Sequence, residues 1–288
     1  MSVPDPLHGR RAALIGLLAA SLGGLSVTAT AQTRILRFGS YATERPSEEL
    51  RKLEPFQKHL EASLMAQGQF VRIEVRIFPT YEEGIGAIVN GELDFARLGP
   101  ASYVLAKQRT PSLILLATES HGGDREFPAV IVVSRYSPIL KVSDLRGKRF
   151  AFGDPSSTSG RYLPQAELVK AGITAGDLAA YEFLGRHDKV VFAVASGSFD
   201  AGGTNFNTYS KYAEEKNLRE LVRYPSPTQA WVARHKLDPA IVKALRTGLL
   251  TMKGEGLDFI DRNGFLPAAD SDYDALRRVM RTAKGFGG

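Results

Sequence analysis

Ser156-Ser157-Thr158-Ser159 sets four hydroxyl side chains in a row, between Phe152-Gly153-Asp154-Pro155 and Gly160. A short apolar run, 149–152, leads in and a helical pattern, 161–170, leads out. The row therefore falls where a strand hands over to a helix N-terminus. The first N–H groups of a helix have no partner within it, and the dipole adds partial positive charge there. Hydroxyl donors at such a point can wrap an anion without Lys or Arg. Ser and Thr are also favoured N-caps, which is the plainer account of any one of them. Four in a row exceed what capping needs. A row of hydroxyls also suits holding an anion better than activating one nucleophile. No G-x-S-x-G elbow, H-E-x-x-H pair or carboxylate-rich cluster is present, so an enzyme is the weaker class and no metal or cofactor is expected.

The elements around this row alternate. Strands are predicted at 34–38, 71–78, 93–98, 113–118, 128–134, 149–152, 181–184, 199–203, 220–224 and 229–233. Helices are predicted at 47–64, 81–89, 100–107, 161–170, 190–195, 239–252 and 273–282. The alternation predicts an α/β protein with largely parallel sheets. Ala87-Ile88-Val89-Asn90-Gly91-Glu92-Leu93-Asp94 is echoed by Ala193-Val194-Ala195-Ser196-Gly197-Ser198-Phe199-Asp200. Either helix-to-strand turns converge on this pattern, or two lobes correspond. Ligands bind outside the C-terminal strand ends of such sheets, so two facing lobes would share one cleft.

Arg10 and Arg11, the apolar or small stretch 12–25 and Ala29-Thr30-Ala31 predict a signal peptide over 1–31, of the general secretory kind, cleaved near Ala31. The chain of 288 residues has no cysteine, which excludes both a lipid-anchored N-terminal Cys and disulfides. A soluble protein of the bacterial periplasm is expected. The formal charge is +6, but the basic residues are scattered, so neither nucleic acid nor a membrane surface is an expected partner.

The run 153–160 followed by Leu163-Pro164 resembles the signature of the phosphonate-binding proteins (PhnD type) of bacterial ABC transporters. Further pieces match in order. They are Tyr81, Leu93-Asp94-Phe95-Ala96 running into Leu98-Gly99-Pro100-Ala101-Ser102-Tyr103, and Gly185-Arg186-His187 before Phe199-Asp200-Ala201. The ending Gly264-Phe265-Leu266-Pro267 with Asp272-Tyr273 agrees as well. The resemblance covers nearly all of the chain after residue 31. It implies a two-lobed periplasmic binding protein, type II-like, with the ligand cleft between the lobes. Such a protein would be a monomer, close on a phosphonate, phosphite or phosphate-like anion, and deliver it to an inner-membrane ABC permease. The expected lobes are 32–126 plus 227–288, and 127–226. The alternatives kept are a binding protein that feeds a sensor kinase and a binder of another small oxyanion.

Carried over residue by residue, the resemblance assigns Ser157, Thr158 and Ser159 to the phosphorus oxygens, with a backbone N–H from Gly160. His187 would contact the anion and Tyr81 would line the pocket. A second pocket Tyr of the family is Leu98 here, and Tyr103 is expected to compensate from the next helical turn. Family members that take aminoalkyl phosphonates meet the ammonium with acids, whereas 204–207 and 227–229 contain none. An aminoalkyl ligand is therefore disfavoured, with Phe206 and Trp231 expected as apolar lining and Glu44 as the acid that would upset this. From position alone, Tyr41 is a ligand-facing or packing residue. Ser102 is a donor from the opposite lobe or a cap. His121 and Asp124 read as surface.

Overall fold

The computed structural model describes residues 33–288 apart from Glu44 and Arg262; the expected signal peptide and the Glu44 expectation lie outside the described residues. Among the described residues eleven strands form two sheets, ordered β11-β4-β10-β3-β1-β2 and β7-β6-β8-β5-β9. The first holds β1 (Arg34–Tyr41), β2 (Val71–Phe78), β3 (Phe95–Leu98), β4 (Ile114–Glu119), β10 (Ala230–Ala233) and β11 (Phe265–Leu266). The second holds β5 (Glu126–Ser134), β6 (Arg149–Phe152), β7 (Ala180–Phe183), β8 (Ala201–Asn205) and β9 (Leu218–Pro227). Within each, three strands are parallel, β3-β1-β2 and β8-β6-β7. The remaining pairings are antiparallel, so the sheets are mixed rather than largely parallel. The reason lies in the crossings. The strand arriving from the other sheet, β5 or β10, lies antiparallel beside β8 or β3. The chain leaves the first sheet after Glu119 and returns to it at Ala230. The crossing segments are tied to each other by Thr228, whose N–H donates to Arg125 O (3.0 Å) and whose hydroxyl donates to Glu119 O (2.5 Å).

Both sheets are covered on both faces. On the first, α1 (Pro46–Ala66) and α7 (Pro239–Leu250) enclose Phe38, Phe56 and Trp231. The other face carries α2 (Tyr81–Val89) and α3 (Pro100–Arg109). On the second sheet, α4 (Leu163–Lys170) covers Phe150 and Phe152. On its opposite face, α5 (His187–Ala195) and α6 (Phe206–Tyr212) enclose Val130 and Val132. The C-terminal stretch divides. Helix α7 stays with the first sheet, but α8 (Asp274–Ala283) presents Leu276, Met280 and Ala283 to a core that also holds Tyr103, Tyr162 and Ala166. Beyond α8, the fully buried Phe286 enters the second sheet's core against Phe152 and Tyr181. Burying these side chains removes α8's apolar stripe from water, which sequence order alone does not assign to either lobe.

The echoed segments are equivalent in space. Gly91 and Gly197 take φ of 76° and 74°, the left-handed turn that ends α2 and α5. Asp94 then accepts from Arg37 N (2.8 Å) and Asp200 accepts from Arg149 N (2.8 Å). The Arg37 guanidinium reaches back to Gly91 O and that of Arg149 to Gly197 O. This is lobe correspondence rather than turn convergence, because convergence would not require the same Arg on the neighbouring strand.

Candidate functional site

Between the sheets lies a cavity of about 170 Å³, lined from both lobes at the C-terminal strand ends. The second lobe contributes the loop after β6. Gly153 N donates to Gly160 O (2.8 Å), closing the loop on itself. A Cβ on Gly160 would stand 2.9 Å from both Gly153 Cα and Ser157 Oγ, so the approach admits only glycine. Residues Thr158–Tyr162 then form a π-helical turn before α4 begins. That turn is wider than an α-turn and occurs chiefly at functional sites; helical periodicity does not reveal it.

Ser157, Thr158 and Ser159 line the cavity and are each at least 95% buried. Ser157 Oγ accepts from Gly160 N (3.0 Å), and its hydroxyl also meets the Tyr81 hydroxyl across the cleft. The Gly160 N–H is occupied by that cap and Gly160 does not line the cavity, contrary to the expected anion contact. Thr158 Oγ1 accepts from Ala101 N across the cleft (2.9 Å), which orients its proton away from α3. His187, the first residue of α5, lines the cavity and is buried. Its backbone N–H donates to Thr43 O in the other lobe (3.2 Å).

The first lobe contributes Tyr41 and Tyr81, whose rings stack at 3.6 Å and 20°. Burial pushes Tyr41 up to about 12, against the lowering effect of its bonds with Ser102 and Gly99. Burial likewise raises Tyr81 well above the tyrosine range, so both rings stay neutral and act as donors. Tyr81 N, at the start of α2, donates to Asp154 Oδ2 of the opposite loop (3.2 Å). Burial raises Asp154, while its bonds from Ser156 N and Tyr81 N act the other way.

Ser102 is fully buried and off the cavity. A chain of bonds runs from Gly99 N to the Tyr41 hydroxyl, from there to Ser102 Oγ (3.1 Å), and on to Ser156 O (3.2 Å). Ser102 thus joins the lobes instead of touching a ligand. Tyr103 does not replace the Tyr absent at Leu98. It lies one residue, about 100°, beyond Ser102 on α3, where it packs on Tyr273 and donates to Asp270 (2.6 Å).

Four further expectations change. Trp231 is fully buried, stacked on Phe38 and bonded to Glu119, and Phe206 packs on Arg223; neither lines the cavity. Phe127, Pro100 and Phe259 supply apolar lining instead. His121 lines the cavity rather than the outer surface. Carboxylates also line it, namely Glu49, Glu119 and Asp261, because α1 and the segment after Phe259 converge there from distant sequence. Glu119 is held by Arg97 in a two-point ion pair (2.6 and 3.0 Å). Asn205, Asn207 and Gln229 also line the cavity. Sequence spacing held no signal for Arg97 and Glu119, which lie on separate strands with β10 between them. Among the described residues no group of three or more His, Asp or Glu is placed to hold a metal ion.

A profile for the family "ABC transporter, phosphonate, periplasmic substrate-binding protein" matches residues 38–273. The "Probable ABC transporter phosphite binding protein PhnD1" of Prochlorococcus marinus (strain MIT 9301) is 25% identical over 86% of this chain and 89% of its own length. The "Phosphonates-binding periplasmic protein" of Escherichia coli (strain K12) is 30% identical over 68% of this chain and 59% of its own. The solved structure of Prochlorococcus marinus PhnD1 in complex with methylphosphonate is similar at a TM-score of 0.77 and 25% identity, covering 88% of this chain and 99% of that one. The extent of the profile match, together with the two-sheet fold, settles the family: the chain belongs to the phosphonate periplasmic substrate-binding proteins of ABC transporters.

Proposed function

We propose that the cleft captures a small phosphorus oxyanion, a phosphonate or phosphite, through Ser157, Thr158, Ser159 and His187 from one lobe and Tyr81 from the other, with Tyr41 stacked on Tyr81. The family is one of transport binding proteins, not of enzymes, and a permease of the inner membrane receives the cargo. The observation that carries this reading is the set of buried hydroxyl donors on one interlobe cavity, beside the N-terminus of α5. Neutral donors arranged around an anion bind by geometry, with charge-assisted bonds about twice as strong as neutral ones. Ser102 and Asp154 set the closed position. The lobes, 32–126 with 227–273 and 127–226, turn about the crossing segments tied by Thr228, while α8 and the residues after it pack against both. The protein acts as a monomer, freed near Ala31 without a lipid anchor.

A thermal-shift panel of phosphate, phosphite, methylphosphonate, 2-aminoethylphosphonate and sulfate tests the reading. Stabilisation by phosphorus oxyanions and not by sulfate is expected. Stabilisation by sulfate alone, or by none of the five, overturns it.

A further inference from the structure

Arg97 lies in β3 beside the cavity and is more deeply buried than Lys52, the other Lys or Arg lining it. Its side chain is 16% exposed and that of Glu119 is 5% exposed. Both Glu119 oxygens are engaged, Oε1 by Arg97 Nε and Trp231 Nε1, and Oε2 by Arg97 Nη2. Arg97 Nη1 enters neither of these bonds, and the side chain borders the cavity. The pair therefore leaves the cavity a guanidinium N–H that Glu119 does not engage, although Glu119 also lines it. Taking two charges out of water is costly, and packed apolar residues in place of a buried pair are often at least as stable. The surroundings here, Phe95, Trp231 and Phe259, would suit such packing. A guanidinium held rigid at a cavity wall is instead what planar recognition of a carboxylate requires.

Neither of the other lining carboxylates bonds Arg97, though Glu49 acts on it electrostatically. Glu49 is half-buried and already accepts the Thr43 hydroxyl (2.5 Å), and Asp261 is exposed and accepts from Asn207. Exposed Lys52 lines the same space. The cavity is also larger than methylphosphonate needs. At about 10–15 Å³ per ordered water it has room for on the order of ten water-sized groups.

We propose that Arg97 is a second anion-recognising side chain of the cleft, and that the preferred ligand is a phosphonate whose substituent ends in a carboxylate, a phosphonocarboxylic acid. This rests on the reading that the hydroxyl run holds the phosphorus group. Glu119 positions Arg97 and does not meet the ligand.

The test is calorimetric titration of methylphosphonate, phosphonoacetate and 2-aminoethylphosphonate into wild type, Arg97→Met and the double variant Arg97→Met/Glu119→Gln. The double variant leaves no buried charge unpaired. Phosphonoacetate is expected to bind wild type at least about tenfold tighter than methylphosphonate, a difference of about 1.4 kcal/mol. Both variants should lose that preference while keeping methylphosphonate within about twofold of wild type. Equal affinities in wild type, or the same loss for both ligands in the double variant, overturn the assignment to Arg97. If methylphosphonate and phosphonoacetate both fail to bind wild type, the phosphorus-oxyanion reading falls first and this one with it.

Discussion

The two lobes repeat one plan, β1-α1-β2-α2-β3 and β6-α4-β7-α5-β8, yet equivalent positions do different work. Tyr81 and His187 are both the first residue of the helix after the second strand. The backbone N–H of each crosses the cleft, Tyr81 to Asp154 and His187 to Thr43. The loops after the first strands diverge. After β6 the chain turns on Gly153 and Gly160 and aims hydroxyls at the cavity. After β1 it presents Tyr41, whose hydroxyl faces Gly99 and Ser102. The helix-to-strand locks diverge too. Asp200 bonds Arg149 alone at 30% exposure, whereas Asp94, at 6%, also holds Arg234 beside β10. The backbone plan is thus shared, and function follows from which polar atoms the opposite lobe has already engaged.

The largest effect expected from this comparison is at the locks. Asp94→Ala should cost about 3 kcal/mol, since it strands the Arg37 N–H and part-buried Arg234, and Asp200→Ala about 1 kcal/mol. Urea unfolding of the two variants measures both, and equal losses would mean that burial does not separate the lobes. Thr158→Val keeps the shape and removes the donor together with the acceptor for Ala101 N. It should weaken methylphosphonate binding by roughly 1.5–3 kcal/mol, read by calorimetry. An unchanged dissociation constant would place the anion elsewhere.

Tyr41→Phe leaves Gly99 N without its partner and should destabilise the fold by about 1–2 kcal/mol. It should also flatten the alkaline limb of stability. The folded Tyr41 keeps its proton up to about 12 while the unfolded side chain loses it near 10.0, so the folded state binds more protons and stability falls as pH rises through that window. Melting temperatures from pH 9 to 11, roughly spanning the unperturbed tyrosine range, should fall less steeply for the variant. A parallel fall would assign that limb to other tyrosines. The smallest effect is at Ser102→Ala, about 0.5–1.5 kcal/mol on ligand affinity through lost closure. The loss should be the same for every phosphonate, because Ser102 touches the Ser156 carbonyl and no ligand; a ligand-dependent loss would return it to the pocket.

Much of the fold was legible in local pattern. Alternating Val71, Ile73, Val75 and Ile77 match β2 over its full length, and the Tyr81–Val89 helix ends at Gly91 as the cap residue demands. Helix α6 was not, because Asn205-Phe206-Asn207-Thr208 reads as loop until the Asn205 side chain caps it at Thr208 N (2.7 Å). Within the site, Ser157, Thr158, Ser159, Tyr81, Tyr41 and His187 all reach the cavity, whereas Gly160, Ser102 and Tyr103 do not. Gly160 shares its turn with residues that reach the cavity while Ser102 and Tyr103 lie on α3, and each of the three is held by a closer partner: Ser157, Ser156 and Asp270 respectively.

What one stretch of sequence determined by itself is whatever depends on near neighbours. That includes the strand and helix periods, the glycine turns, and the hydroxyl run at a strand-to-helix junction, because backbone geometry and capping act over a few residues. What only the tertiary structure decided is which of those polar groups remain available. The Arg97–Glu119 pair, the clasp from Ala101 to Thr158 and the seating of Phe286 join positions 22, 57 and 134 residues apart. A buried donor or acceptor takes whichever partner the packed chain brings within about 3 Å, and nothing local to either residue names that partner in advance.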